Sequence, residues 1–207
     1  MAAGTLRCDW THHSGAPVII HQPIRRHRPF SRAAFGSLGG DALAQSLARG
    51  LDDGYHYLRG VPAGGEVIDT IVVGRGGTWA ITHAAEGGRF RKRNGHWYRW
   101  NRGTESWVPW SPRPIDAARL AGHRLSLVLE RAGVPSGVEP CLMSGHGMVI
   151  EWEPDQRPGV HVHPDSDRLA ARIARDEALT QPQVDRIVAL LDPREPLSRL
   201  AAEPEAR

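Results

Sequence analysis

The chain has 207 residues, enough to bury one sizeable core, and its formal net charge of +3 suits an anionic partner without demanding one. No stretch has the unbroken apolar run of a membrane helix, and the N-terminus lacks the apolar core of a signal peptide, so no membrane partner and a cytoplasmic location are expected. The two cysteines, Cys8 and Cys141, form no CxxC pair, which argues against a disulfide framework.

In chain order, residues 1–34 mix His, Pro, Arg and Gly around one short apolar run, Val18-Ile19-Ile20, and read as an irregular arm. From Asp41 onward, Leu43, Leu47 and Leu51 recur at four-residue spacing with Ala44 and Ala48 beside them. That spacing predicts an amphipathic helix ending near Gly54, its apolar stripe packed on a sheet. Strands follow over Tyr55 to Leu58, Val67 to Val73 and Thr78 to Ile81, the last two joined by the Arg75-Gly76-Gly77 turn. Asn94-Gly95 is a strong two-residue turn signal for a further hairpin, so the sheet is expected to begin antiparallel. Pro114 suits the first turn of a helix carrying Ile115, Ala118, Leu125, Val128 and Leu129, with Gly133 placed to cap its end and the helix crossing over the sheet. Pro140 to Met143 and Met148 to Trp152 read as later strands. Asp165 to Leu179 and Thr180 to Leu191 read as two helices, Thr180 being the N-cap of the second. A charged, Pro-bearing tail spans 193–207, leaving 35–192 as the folded domain.

The segment Glu66 to Phe90, EVIDTIVVGRGGTWAITHAAEGGRF, sets a carboxylate, Asp69, among β-formers. Such a charge must sit at a strand end in water, pair with an arginine or bind a cation. The order strand, Ile-Asp, Val-Val-Gly, turn, aromatic-x-Ile, then Gly-Arg-aromatic resembles the nuclease-related domain (NERD) family, a branch of the PD-(D/E)xK nuclease-like fold, and a weaker likeness runs from about Phe35 to Asp192. The resemblance implies an α/β, restriction-endonuclease-like core, a mixed central β-sheet flanked by helices.

It also implies a site. Asp69 matches the family's metal-binding aspartate on the first strand, and Asp41, after Gly39-Gly40, matches its acidic residue on the first helix. The family's Glu-x-Lys on the next strand falls on Thr82 and Ala84. Threonine is a poor ligand for a hard cation and alanine is none, so the second metal-binding oxygen and the lysine that orients water at the phosphate are both missing. Lys92 is the only lysine in the chain, is expected at a hairpin tip, and arginine is a poor substitute where proton affinity must be tuned. The resemblance thus points to a catalytically degenerate domain, a pseudoenzyme contacting DNA or a protein partner. A working Mg²⁺-dependent nuclease is the alternative. It would use Asp41, Asp69 and Glu86, which has the strand parity of Thr82 and Ala84, with Arg89 replacing the lysine electrostatically. A third reading is a structural or protein-interaction domain without nucleic-acid binding.

Candidate nucleic-acid contacts are Arg89, Arg91, Arg93 and Trp100. Trp97, Trp100, Trp107 and Trp110 lie among arginines, an arrangement that either stacks on unpaired bases while guanidinium groups meet phosphates or packs as ordinary strand aromatics. Gly95-His96-Trp97 matches a Gly-x-Trp step of the family, which favours packing for Trp97. His161-x-His163 puts two rings on one strand face, near Cys141 or His146, and Cys8, His12 and His13 form a second loose group. Neither has a structural-zinc spacing, and surface histidines are the simpler reading. Strand alternation points His83 to the face opposite Thr82 and Ala84, away from Asp69. Ser144-Gly145-His146-Gly147 lacks a nucleophile elbow and reads as a turn, and Gly74-Arg75-Gly76-Gly77 is a hairpin turn rather than a phosphate loop.

Overall fold

A computed structural model describes residues 19–21, 37–52, 54–134, 137–144, 147–153 and 159–192. Most of the N-terminal arm, the whole of the 193–207 tail, and Cys8, His12, His13 and His146 lie outside the described residues.

The first apolar stripe builds helix α1 (Ser37–Gly50), which starts and ends about a turn earlier than the leucine spacing alone suggests. Leu43, Leu47 and Leu51 are buried together with Val72, Trp79 and Ile81, so the stripe does face a sheet. Strands β2 (His56–Ala63), β3 (Glu66–Gly74) and β4 (Gly77–Ala84) then form an antiparallel meander. The β3–β4 turn is fixed by contact as well as by conformation. A Cβ on Gly74 would lie 2.1 Å from the Tyr55 ring, and one on Gly76 would lie 1.8 Å from the Ile173 carbonyl oxygen. Tyr55 Oη accepts the Gly76 N–H at 3.2 Å, and the Arg75 carbonyl accepts the N–H groups of Ala178 and Leu179 at 2.7 and 3.0 Å. These glycines let a hairpin turn dock on a neighbouring helix.

After β4 come β5 (Gly88–Arg93), β6 (His96–Asn101) and β7 (Ser106–Pro109), then helix α2 (Arg113–Arg131). Asn94 and Gly95 turn the β5–β6 hairpin at φ 52 and 78, the left-handed pair that a two-residue turn requires. Lys92 lies within β5 rather than at the tip, its ammonium 5.9 Å from the Trp97 ring centroid. Helix α2 closes on Gly133 (φ 65): the Gly133 N–H reaches the Glu130 carbonyl at 2.9 Å and the Val134 N–H reaches that of Leu129 at 2.9 Å, a Schellman cap.

Strands β8 (Val138–Ser144), β9 (Met148–Glu151) and β10 (His161–His163) precede α3 (Ser166–Ile173) and α4 (Gln181–Leu191). The expected long helix over Asp165 to Leu179 is only α3. Asp165 caps its start by accepting the Arg168 N–H at 2.8 Å, and the chain beyond Ala174 leaves the helix to bond the β3–β4 turn instead. Gln183 reaches back to the Thr180 N–H at 2.8 Å, as a capping residue should.

Two mixed sheets result. The larger runs β1-β2-β3-β4-β8-β10, where β1 (Ile19–His21) pairs parallel with β2; the smaller runs β7-β6-β5-β9. The apolar run of the arm thus supplies an edge strand. Helices α1 and α3 cover one face of the larger sheet, and α2 and α4 the other. The parallel pair β4/β8 continues into the parallel pair β5/β9 with its register intact, Ala84 standing opposite Ser144 before the bend and Gly88 opposite Met148 after it. Ala84, Leu142, Ile115 and Ala118 meet Phe90 and Met148 in one buried cluster at this corner, so the two sheets share a core. Among the described residues no helix is long and apolar enough to cross a membrane.

Candidate functional site

Two regions bear on function: the surroundings of Asp69 and the open side of the smaller sheet. The β2–β3 ladder pairs Arg59 with Thr70 and Val61 with Ile68 but skips Gly60 and Asp69, and Gly60 stands at φ 63. Leu58 and Val61 lie in the cluster beneath α2 and α4, and so do Ile68 and Ile71, although residues three apart on a regular strand point to opposite faces. Both strands therefore step at this level. The β3–β4 ladder also stops short of Asp69, at Thr70 opposite Ile81. Asp69 is exposed, and its charge acts on the half-buried His83 ring.

Burial lowers the proton affinity of His83, the Asp69 carboxylate works against that, and Arg59 adds to it. The expectation that His83 points away from Asp69 holds only for an unbroken pleat, which the step at Gly60 and Asp69 removes. Ala84 faces the other way, buried 6% exposed against Leu142, Ile115 and Ala118, and Thr82 has the same parity as Ala80 and Ala84. Trp79, Ile81 and His83 are thus the β4 residues on the α1 side, while Thr82 and Ala84 turn toward α2.

The remaining carboxylates do not gather here. Asp41 lies on α1, but its side chain is outside the described residues. Glu86 lies beyond the end of β4 and accepts the Trp110 indole N–H at 2.9 Å, which ties it to the smaller sheet. Among the described residues no group of three His, Cys, Asp or Glu side chains could hold a metal ion. His161 and His163 do stack on one strand face, ring centroids 6.4 Å apart. His161 Nε2 meets Glu139 at 3.0 Å, Cys141 is buried, and desolvation pushes its thiol far up. Ser144 is structural: its hydroxyl donates to the Glu86 carbonyl at 3.0 Å and accepts the Met148 N–H at 2.9 Å across the bend between sheets.

The smaller sheet sorts its aromatics by face. Trp97 and Trp110 pack against Phe90 on the inner side, the Phe90 and Trp110 rings 4.3 Å apart. On the outer side the register sets Arg91 opposite Tyr98 and Trp100 opposite Trp107, with Arg89, Arg91 and Arg93 alternating along β5. The Arg91 guanidinium lies 4.2 Å from the Trp107 ring centroid and 5.5 Å from that of Tyr98, and its Nε is buried without a hydrogen-bond partner. Trp100 and Trp107 meet edge to face at 5.4 Å, both half-buried. Arg89 pairs with Glu151 at 2.7 Å, both side chains remaining well exposed, and Arg93 is exposed beside the hairpin turn.

At the end of this sheet a cleft of about 690 Å³ opens between the Gly87-Gly88 entry to β5 and the Arg102-Gly103 turn. Arg89, Arg99, Arg102, Trp100 and Asn101 line it, and no carboxylate does. Of the four nucleic-acid candidates, the fold brings Arg89, Arg91 and Trp100 onto one surface and leaves Arg93 at its rim. Arg99 and Arg102, two of the arginines among which the tryptophans lie in sequence, line the cleft as well.

Comparison with protein-family models finds no match to this chain, and searches against curated proteins and solved structures find none either.

Proposed function

We propose that this chain is a nuclease-related, restriction-endonuclease-like domain that contacts DNA without cutting it. Support for the fold comes from the element order: a helix, three antiparallel strands with Asp69 on the middle one, then a helical crossover into a strand parallel to β4. Support for the loss of catalysis comes from β4, which turns Ile81 and His83 toward the Asp69 side and carries neither a second carboxylate nor an ammonium there. Hydrolysis of a phosphodiester by a divalent metal needs oxygen ligands enough to fix the ion and a group to stabilise developing charge. The observation that carries the binding half is the outer face of the smaller sheet, where three arginines of one strand alternate onto the side occupied by Tyr98, Trp100 and Trp107.

The test combines binding and cleavage. A fluorescent duplex should bind with affinity that falls steeply as salt rises, and Arg89→Ala with Arg93→Ala should flatten the log–log slope by about 1.8, two phosphate contacts' worth. With Mg²⁺ or Mn²⁺, the protein should cleave plasmid no faster than its Asp69→Ala variant. Binding insensitive to salt and to both arginines overturns the DNA half. Robust cleavage abolished by Asp69→Ala overturns the other and promotes the Asp41, Asp69, Glu86 nuclease.

A further inference from the structure

Resting on that reading, we infer that the ligand of the smaller sheet is an unpaired polynucleotide strand, its phosphates held in the cleft between Gly88 and Arg102 and a base stacked at Trp100. The cleft volume of about 690 Å³ lies within the roughly 300–1,000 Å³ range of sites that enclose small ligands, so it suits a nucleotide or two rather than a groove-spanning duplex. Arg89, Arg99 and Arg102 are among its lining residues and no acidic residue is, although the Arg89 guanidinium is paired with Glu151 at 2.7 Å. Arg99 and Arg102 are exposed, and the Arg99 guanidinium lies 5.8 Å from the centroid of the Phe90 ring, on the face of the sheet that Phe90 shares.

Gly88 shapes the mouth. It stands at φ 119, a conformation few other residues adopt, and a Cβ there would meet nothing within 4 Å, so the wall at this point is bare backbone that a sugar-phosphate can approach closely. Trp100 also lines the cleft; strand alternation turns its half-buried ring to the outer face, edge to face with Trp107, where a polynucleotide leaving the cleft over the sheet end meets it. The Arg91 guanidinium already lies over Trp107, so Trp100 is the ring left to take a base.

A duplex and a single strand differ in what they can offer such a surface. Duplex bases are already stacked on one another, so only phosphates would meet the sheet and the aromatic content would go unused. An unpaired strand presents phosphates and free base faces together, the combination that interleaved arginines and tryptophans recognise without sequence preference. An acidic protein segment could satisfy the guanidinium groups, but its aliphatic carboxylates have no flat ring to set against Trp100.

The experiment compares a fluorescein-labelled oligo(dT) of about 15 nucleotides, near the upper single-site length for aromatic-lined surfaces, with a duplex of the same length at matched salt. Unlabelled poly-glutamate serves as competitor. The single strand should bind at least tenfold tighter than the duplex, quench tryptophan fluorescence, and resist poly-glutamate at equal charge. Trp100→Ala should weaken the single strand about tenfold and leave the duplex unchanged. Arg99→Ala with Arg102→Ala, checked for an unchanged thermal midpoint, should flatten the single-strand salt slope by about 1.4.

Equal or tighter duplex binding overturns the unpaired-strand inference while the DNA-contact reading stands. Displacement by poly-glutamate as readily as by oligonucleotide overturns it in favour of an acidic protein partner. Single-strand binding indifferent to both variants overturns the assignment to this cleft. Failure to bind either oligonucleotide overturns this inference and the DNA-contact reading together.

Discussion

At the scale of single residues, the histidines report how the sheet disposes its charges. His83 and His163 both hold protons less tightly than usual, chiefly because burial penalises the cation. Asp69 partly offsets this for His83; for His163, the nearby His161, Arg172 and Arg168 deepen it and Asp165 opposes it. The unfolded chain keeps the ordinary value of about 6.5, so above it both states are neutral and stability is whole. As pH falls through about 6.5 toward the lower folded values, the unfolded state takes up protons that the folded state resists, and stability is lost. Thermal midpoints should therefore drop between about pH 6.5 and pH 5, and His163→Gln should remove part of that drop. An identical pH profile in the variant would exclude His163 as a contributor. Asp69→Asn should lower the His83 titration midpoint further in NMR, because it removes the one charge that favours the imidazolium; a midpoint left where it was would separate the two side chains. Ala84 offers a sharper contrast. Buried beneath α2, it should tolerate lysine badly, Ala84→Lys costing about 2 kcal/mol or more in denaturant unfolding. A neutral effect, with metal affinity gained on adding Thr82→Glu, would return both positions to the Asp69 side.

At the scale of elements, two glycine turns that look alike in sequence are held by different forces. The Asn94-Gly95 turn needs glycine only for its conformation, since a Cβ at Gly95 would meet nothing within 4 Å. Gly76 needs it for space, its Cβ position lying 1.8 Å from the Ile173 carbonyl oxygen. Gly95→Ala should thus cost about 1 kcal/mol, the strain of a left-handed residue, and leave α3 undisturbed. Gly76→Ala must push backbone against backbone, so about 2 kcal/mol or more is expected, with loss of amide-exchange protection at Ala178 and Leu179, whose N–H groups bond the Arg75 carbonyl of this turn. Equal costs for the two substitutions would mean that the turn is not docked on α3. Both turns were legible in the sequence because turn chemistry is local. The early end of α3 was not, because the residues after Ala174 leave the helix for hydrogen bonds to a turn about a hundred residues earlier in the chain.

At the scale of the whole molecule, the corner cluster decides whether the two sheets behave as one body. Phe90 belongs to the smaller sheet and is fully buried among Ala84, Leu142, Ile115 and Ala118, and the Glu86–Trp110 and Ser144–Glu86 hydrogen bonds cross the same bend. Phe90→Ala should cost about 3–5 kcal/mol. Tryptophan fluorescence, dominated by the smaller sheet, and far-UV circular dichroism, dominated by the helices of the larger, should still report a single coincident transition. Two separated transitions in the parent protein would show the sheets to be independent, and the smaller one would then be a detachable binding module.

Local sequence is enough for the apolar stripes of α1, α2 and α4, the antiparallel start through Glu66–Gly74 and Gly77–Ala84, the Schellman glycine and the Asn-Gly hairpin. Each depends on side-chain periodicity or backbone preference within a few residues. It also shows that β4 carries neither a carboxylate nor a lysine on either face. Long-range packing, by contrast, brings Ile19–His21 into the larger sheet, moves β9 from β8's sheet to β5's, and divides the tryptophans between an inner and an outer face. It alone decided that Asp69 acts on His83 rather than standing beside Thr82 and Ala84. A parallel partner comes from far along the chain, and strand parity survives only while the pleat is unbroken. One skipped pair at Gly60 and Asp69 reverses which side chains meet, and the energy that favours the skip lies in the packing of both faces rather than in any local run of residues.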